Sequence, residues 1–316
     1  MHGAPPLSRL AWLLALVAAG VGLPFVLPQY FLYLGNVLMM SAVLAIGLDL
    51  LLGWAGQFAF AHIAFFGVGV YATALFQIRL GLPFIVGMPL AAALAGAIGL
   101  LIGLPATRLR TVYLALATFA FAEAAQWVFN AWEKVTNGPD GLRIAAPSIL
   151  GYPLGTDESA FPIMAVLLAV VIAATVYLTT SKFGRAMCAI RESEHVAAAS
   201  GIDVRRVKVS AFAISAVYAG IAGGMYTLFE SFVNPDVFGF QQIVLLLSMI
   251  VVGGLGTIPG VLIGVALLGL LPEVLRTTMR SLLVWQELAY GLILIAAVMF
   301  MPRGIWGTIS LRRARR

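Results

Sequence analysis

The sequence predicts an all-α membrane protein, a polytopic helix bundle of about ten spans with discontinuous Gly-rich helices. Two observations carry the fold class. From Leu10 to Ile78 the only Asp, Glu, Lys or Arg is Asp49, and from Val237 to Pro272 there is none. A charge at mid-bilayer costs from roughly 2.5 to over about 10 kcal/mol, so runs this free of charge belong in lipid. The composition agrees: 62% of residues are apolar and 10% charged, where soluble domains carry about 25% charged residues.

A helix needs roughly 20 apolar residues to cross about 30 Å of hydrocarbon. Cutting the chain at its charges, prolines and glycines gives spans near 10–27, 34–52, 58–76, 84–103, 111–130, 161–180, 209–229, 241–255, 259–275 and 285–301. Arg9 precedes the first, and Pro24 and Pro28 close it. Asp49 and Gly53 end the second, Arg79, Gly81 and Pro83 the third, and Arg108 and Arg110 the fourth. A polar stretch from Glu133 to Glu158 separates the fifth and sixth, and the basic segment from Lys182 to Lys208 precedes the seventh. The Gly254–Pro259 region divides the short eighth and ninth. No second compositional block appears, so residues 1–316 read as one transmembrane domain with a segment at 181–208 outside the bilayer.

Lys and Arg are retained on the cytoplasmic side of short loops. Arg108 and Arg110, the segment with Lys182, Arg185, Arg191, Arg205, Arg206 and Lys208, and the tail with Arg303, Arg312, Arg313, Arg315 and Arg316 all fall on one side. The loop with Glu133, Asp140, Asp157 and Glu158 falls on the other, against Lys134 and Arg143. An even span count with both termini in the cytoplasm follows; Arg79, Arg276 and Arg280 fit it less well. A cleaved signal peptide is the alternative for the first span, because Arg9 precedes an apolar run and Ala18-Ala19-Gly20 offers small residues for cleavage. Cys188 has no partner in the chain, so stability rests on helix packing. The formal charge of +6 is placed by topology and does not indicate nucleic acid.

Two apolar stretches are dense in helix breakers: Gly53 through Tyr71, GWAGQFAFAHIAFFGVGVY, and Val251 through Gly264, VVGGLGTIPGVLIG. Transporters use such interruptions where freed backbone groups can meet a substrate; close helix packing through glycine is the other reading. Gln57 and His62 accompany the first stretch and favour a pathway there. Asp49 either sits in a water-filled passage or reaches the interface as a terminal carboxylate. His62 either contacts substrate or is a hydrogen-bonded packing residue. Glu123 interrupts an otherwise uncharged span and is a functional candidate, unless it is hydrated at the outer interface. Thr136 to Gly141, TNGPDG, is a turn-rich outer segment.

Ala186 to Ser200 contains no breaker, interleaves Met187, Ile190, Ala197 and Ala198 with Arg191, Glu192 and Glu194, and meets Gly201 as a stop. It predicts one short amphipathic helix between spans, lying on headgroups or docked on a partner. No lysine follows a glycine, so no phosphate-binding P-loop is present. His2, His62 and His195 are too scattered to read as a metal or catalytic cluster. The chain reads as a transporter component, not an enzyme, and no cofactor is indicated. An ion-coupled secondary transporter fits the broken helices equally well.

The runs GWAGQFAFAHIAFFGVGVYATA, LRTVYLALATFAFAEAAQWVFNAWEKVTNGPDGL, SKFGRAMCAIRESEHVAAASGIDVRRVKVSAFAISAVYAGIAGGMY, VVGGLGTIPG and MPRGIWG, in this order and spacing, resemble the LivM-type permease of branched-chain amino-acid ABC importers. The resemblance covers nearly the whole chain. It implies an inner-membrane subunit forming half of a translocation pathway with a homologous second permease. It also implies two ATP-binding subunits and an extracytoplasmic substrate-binding protein, which TNGPDG would face. The helix before Gly201 would dock in an ATPase groove, with Arg191, Glu192, Glu194 and Gly201 as coupling residues. A secondary transporter needs no such dock. Asp49, Ala59 and Ala61 stand where the family usually has Asn, Ser and Gly, and the family also includes urea and short-amide permeases, with sugar permeases related to it.

Overall fold

A computed structural model gives the fold and describes residues 17–278, apart from 108, 110, 145, 146, 150, 151 and 155, together with 291, 292, 295, 299 and 304–308. In chain order the longer helices are α1 (Gln29–Asp49), α2 (His62–Leu80), α3 (Phe84–Ala106), α4 (Thr111–Ala131) and α5 (Asp157–Thr180). They continue with α6 (Lys182–Glu192), α7 (Glu194–Ala199), α8 (Val204–Phe229), α9 (Phe240–Gly253) and α10 (Ile258–Thr278). Among the described residues, six helices are long and apolar enough to cross a membrane: α1 with its extension to Trp54, α2, α3, α4, α5 and α8. The protein is a multi-pass membrane protein. The expected eighth span is short, as the 14-residue α9, and the ninth falls within α10, whose Ile258–Val274 part is the other shorter apolar helix. The expected span 285–301 lies largely outside the described residues and 10–27 lies outside them over 10–16, so the described residues do not establish a count of ten.

Small residues set the architecture. In lipid there is little hydrophobic force between helices, so close approach and van der Waals packing must hold them together. The central helix α8 carries Gly220, Gly223 and Gly224 on its buried faces. A Cβ on Gly220 would lie 2.7 Å from the Ala92 Cα of α3, and one on Gly223 2.6 Å from the Phe66 carbonyl of α2. Alanines 211, 216, 219 and 222 of α8 are fully covered. Helix α8 is thereby seated against α1, α2 and α3.

Local signals end the helices where the sequence suggests. Thr156 and Ser159 form a capping box at the start of α5. Ser181 closes α5 and caps α6, accepting from the Phe183 and Gly184 N–H groups. On the side opposite the 181–203 segment, the α4–α5 connection folds over the bundle. Its strand β1 (Leu142–Arg143) pairs antiparallel with β4 (Phe232–Val233) after α8, and β2 (Ser148–Ile149) pairs with β3 (Tyr152–Pro153). The TNGPDG turn is ordered within this cap: Asn137 has φ 64° and its amide donates to the Gly141 carbonyl at 2.7 Å. Arg79, misplaced by the charge rule, is satisfied there by the Lys134 carbonyl.

The amphipathic segment departs from expectation. It is two helices, not one over 186–200. Ser193 leaves the helical region and accepts from the Val196 N–H, so a new N-cap starts α7 after the break. Gly201 has φ +81°, as a helix stop requires.

Candidate functional site

Both Gly-rich stretches are breaks, and they meet. Past Asp49, α1 widens into a π-type turn over Leu50–Trp54, where the Ala55 N–H reaches back to the Leu50 carbonyl at 3.3 Å. The chain then runs without helix to α2 at His62. The second break, Gly254–Thr257, joins α9 to α10. Asp49, 2% exposed, ties them: its Oδ1 accepts from the Gly256 N–H at 2.8 Å. Glycine is required at this crossing. A Cβ on Gly53 would lie 2.1 Å from Asp49 Oδ1 and 2.4 Å from the Gly256 nitrogen. Gly56 and Gly256 have φ +68° and +73°, the region glycine adopts without strain.

The segment between α5 and α8 grips this crossing from two sides. Arg191, in the last turn of α6, donates from Nη1 to the Gly53 carbonyl. A Cβ on Gly256 would stand 3.1 Å from that same nitrogen, so the guanidinium lies against both breaks. From the other side, Glu194 of α7 pairs with Lys208 of α8. The Lys208 carbonyl accepts from the Gln57 amide at 3.4 Å. Gln57, in the first break, and Lys208 are both buried. The break is also held from α4, where the Thr118 hydroxyl accepts from the Phe60 N–H at 3.0 Å.

His62 lies deeper. Its Nε2–H donates to the Leu44 carbonyl at 2.9 Å, which fixes the neutral tautomer with Nδ1 as acceptor from the Ser215 hydroxyl at 2.9 Å. The ring is 1% exposed and pins the start of α2 to α1 and α8. Leu44 precedes Trp54 by ten residues, about 15 Å of helix, so α2 begins well inside the bundle. Helix α9 begins at similar depth, because the Phe240 ring packs on Phe60 at 6.1 Å and Phe119 at 5.2 Å. Phe58 joins the group at 5.5 Å from Phe60. These rings form an apolar patch between the first break, α4 and α9, with Phe240 about half exposed.

The expected site residues therefore separate. Asp49, Gln57, Arg191 and Glu194 gather around the two breaks. His62 is hydrogen-bonded between helices. Glu192 and Gly201 are exposed on the α6–α7 segment. Glu123 is exposed on α4, apart from the other three pathway candidates. Lys208, Ser215 and Thr118 were missed, although a lysine amid the apolar start of a span is a readable signal. Ser193 was missed too, despite being a favoured cap residue next to an acidic first turn.

Sequence comparison places the chain among known proteins. The family described as branched-chain amino acid transport system / permease component matches residues 30–301. The high-affinity branched-chain amino acid transport system permease protein LivM of Escherichia coli K12 is 29% identical over 318 residues, covering 93% of this chain and 74% of that protein. LivH of Salmonella typhimurium is 28% identical, covering 84% of this chain and 91% of its own. A probable LivM of Methanocaldococcus jannaschii is 26% identical, covering 76% and 77%. No solved structure matches the chain. With most of its length matched and its two helix breaks where the motifs put them, the chain belongs to the family of branched-chain amino acid transport permeases.

Proposed function

We propose that this chain is one of two homologous permeases in an importer that carries a branched-chain amino acid across the inner membrane. Two ATP-binding subunits energise it and an extracytoplasmic binding protein delivers the cargo. The names of its LivM and LivH relatives support both the substrate and the pairing with a second permease. Both termini and the α6–α7 segment then face the cytoplasm, where basic residues are retained. The observation that carries the reading is the hydrogen bond from Arg191 to the Gly53 carbonyl.

That bond gives the ATPases a lever. Val196, 65% exposed outside the spans, and Glu192 form the outward surface of the α6–α7 segment and contact the ATPase. The guanidinium of Arg191, an exposed residue, nonetheless reaches the Gly53 carbonyl and transmits the segment's displacement to it. Asp49 links Gly53's turn to Gly256, so the first break shifts against the second and opens or closes the cytoplasmic end of the passage. ATP binding selects one of the two arrangements by its differential affinity for them. Asp49 and Gln57 hold the breaks, His62 fixes the start of α2, and Glu123 faces the passage.

Reconstitution tests the reading. With all partners present, ATP should drive uptake of labelled leucine in preference to urea and ribose, and the chain alone should neither hydrolyse ATP nor move substrate. Preferential urea or ribose uptake would reassign the cargo. Uptake by the chain alone on a proton or sodium gradient would establish a secondary transporter instead.

A further inference from the structure

We infer that the exposed stripe of α4, together with the first turn of α9, is the surface on which the second permease sits, and that the substrate passage borders it. The inference rests on the two-permease reading above and adds its location. Burial first singles out α4. Within the most apolar window of each span, 72% of α1 and of α8 is buried, 39% of α3 and of α5, and only 22% of α4.

Lipid could cover such a face, but its chemistry argues otherwise. The outward residues in the interiors of α3 and α5 are apolar, among them Leu90, Leu94, Leu101, Val166 and Val170. Helix α4 instead exposes Glu123, and the adjoining turn of α9 exposes Gln241. Glu123 stands eight residues before Ala131, about 12 Å from that end of the helix. A glutamate is too short to carry its carboxylate from there to the headgroups, and at such depth lipid contact is strongly disfavoured. A polar partner or a water-filled passage must meet it.

The spacing fits a helix as that partner. Tyr113, Ala117, Ala120, Ala124, Trp127 and Ala131 are all exposed and alternate by four and three residues. That is the period of a left-handed helix pair, and the alanines permit close approach. LivM and LivH both align with this chain over most of its length, so the two subunits share one fold and associate about a pseudo-two-fold axis. Such an association uses matching surfaces on both partners. The half-exposed Phe240 ring and its neighbours Phe60 and Phe119 lie at the edge of this surface. They offer an apolar wall to a branched side chain, and Glu123 offers a carboxylate to an ammonium group.

Photo-crosslinking in the assembled transporter tests this. The probe p-benzoylphenylalanine is placed singly at Trp127 or Tyr113 on α4, and at Leu94 or Tyr177 on the faces assigned to lipid. Adducts of the chain with the second permease from Trp127 and Tyr113, but not from Leu94 and Tyr177, are expected. Glu123→Leu should lose transport with the second permease retained, whereas Glu123→Gln should keep part of it. Adducts from Leu94 or Tyr177 alone would overturn the inference, as would none from any site in a complex that still transports. A chain that transports with no second permease present would overturn the functional reading itself, and is recognised by subunit composition.

Discussion

The two helix breaks are built from similar glycine-rich sequence, yet they are held by different forces. The Gly254–Thr257 break is flanked by helices α9 and α10 packed backbone on backbone, with Asp49 and Arg191 as side-chain contacts at Gly256. A Cβ on Gly264 would lie 1.9 Å from the Met249 carbonyl, and one on Gly253 2.1 Å from that of Gly260. The Gly53–Ala61 break is held by side chains arriving from elsewhere: Arg191 on the Gly53 carbonyl, Gln57 on Lys208, Thr118 on Phe60. Packed backbone has one arrangement, whereas side-chain ties can release and re-form. The α9–α10 junction is thus the fixed frame and the first break the movable part, with Asp49 as the joint between them.

The largest effect is expected where added volume meets the fixed frame. Gly264→Val or Gly253→Val should abolish the folded chain, because backbone overlap is not relieved by rotamer changes and lies at or beyond the upper end of the about 1–3 kcal/mol that overpacking usually costs. Size-exclusion profiles of the detergent-extracted protein check this, and a monodisperse peak would sink the distinction. The next largest effect falls on the movable break. A hydrogen bond from a charged donor is worth about 1.5–3 kcal/mol, so Arg191→Ala should lower transport about tenfold or more while the ATPases still co-purify. Arg191→Lys should fall between, since an ammonium lacks the guanidinium's fork. Val196→Glu should do the reverse, loosening the ATPases by placing a charge in an apolar contact. If Arg191→Ala instead releases the ATPases, the arginine belongs to the outer contact and the lever is misassigned.

Smaller effects sharpen the joint. Asp49→Asn keeps an oxygen for the Gly256 N–H and should change the melting temperature little. Asp49→Ala leaves that N–H unpaired and should cost about 1–3 kcal/mol, read as a lower melting temperature in the same detergent. Equal values for the two variants would mean that the acceptor at Gly256 is not what matters. The Glu194–Lys208 pair has one partner about half exposed, and exposed pairs contribute about 0–1 kcal/mol, so Glu194→Gln should lower transport only slightly.

Cys188 gives the smallest and most local readout. Burial pushes its thiol pKa up, while the nearby Arg191 charge pulls it down. The thiolate is the reactive form, so alkylation should rise with pH along a curve displaced above that of a free cysteine. Arg191→Ala should displace the curve further upward, because the charge that favours the thiolate is gone. An unmoved curve would place Arg191 away from α6's inner face.

Much of this was legible in one dimension because lipid leaves few choices. Charge-free runs must be spans, and residues 34–52, 84–103 and 161–180 fall within α1 and its extension, α3 and α5. Both Gly-rich stretches were legible as places where helices break or pack closely, and they do both: Gly56 and Gly256 lie in breaks, Gly67 and Gly264 inside α2 and α10. What pairs across the chain was not legible. Nothing local in Arg191 says that it will grip Gly53, 138 residues away, or in Asp49 that its partner is Gly256, 207 residues on. The same amphipathic pattern suits a lipid surface, an ATPase groove or a clasp on helix breaks. Glu123 could equally have been buried, hydrated or outward. Sequence determined the solvent, most of the spans in the described residues and the two glycine-rich breaks, though not the stop at Ser193, because these depend on each residue's own hydration and backbone freedom. Tertiary structure alone decided which side chain completes each break and which helix is left uncovered, because those depend on where the rest of the bundle packs.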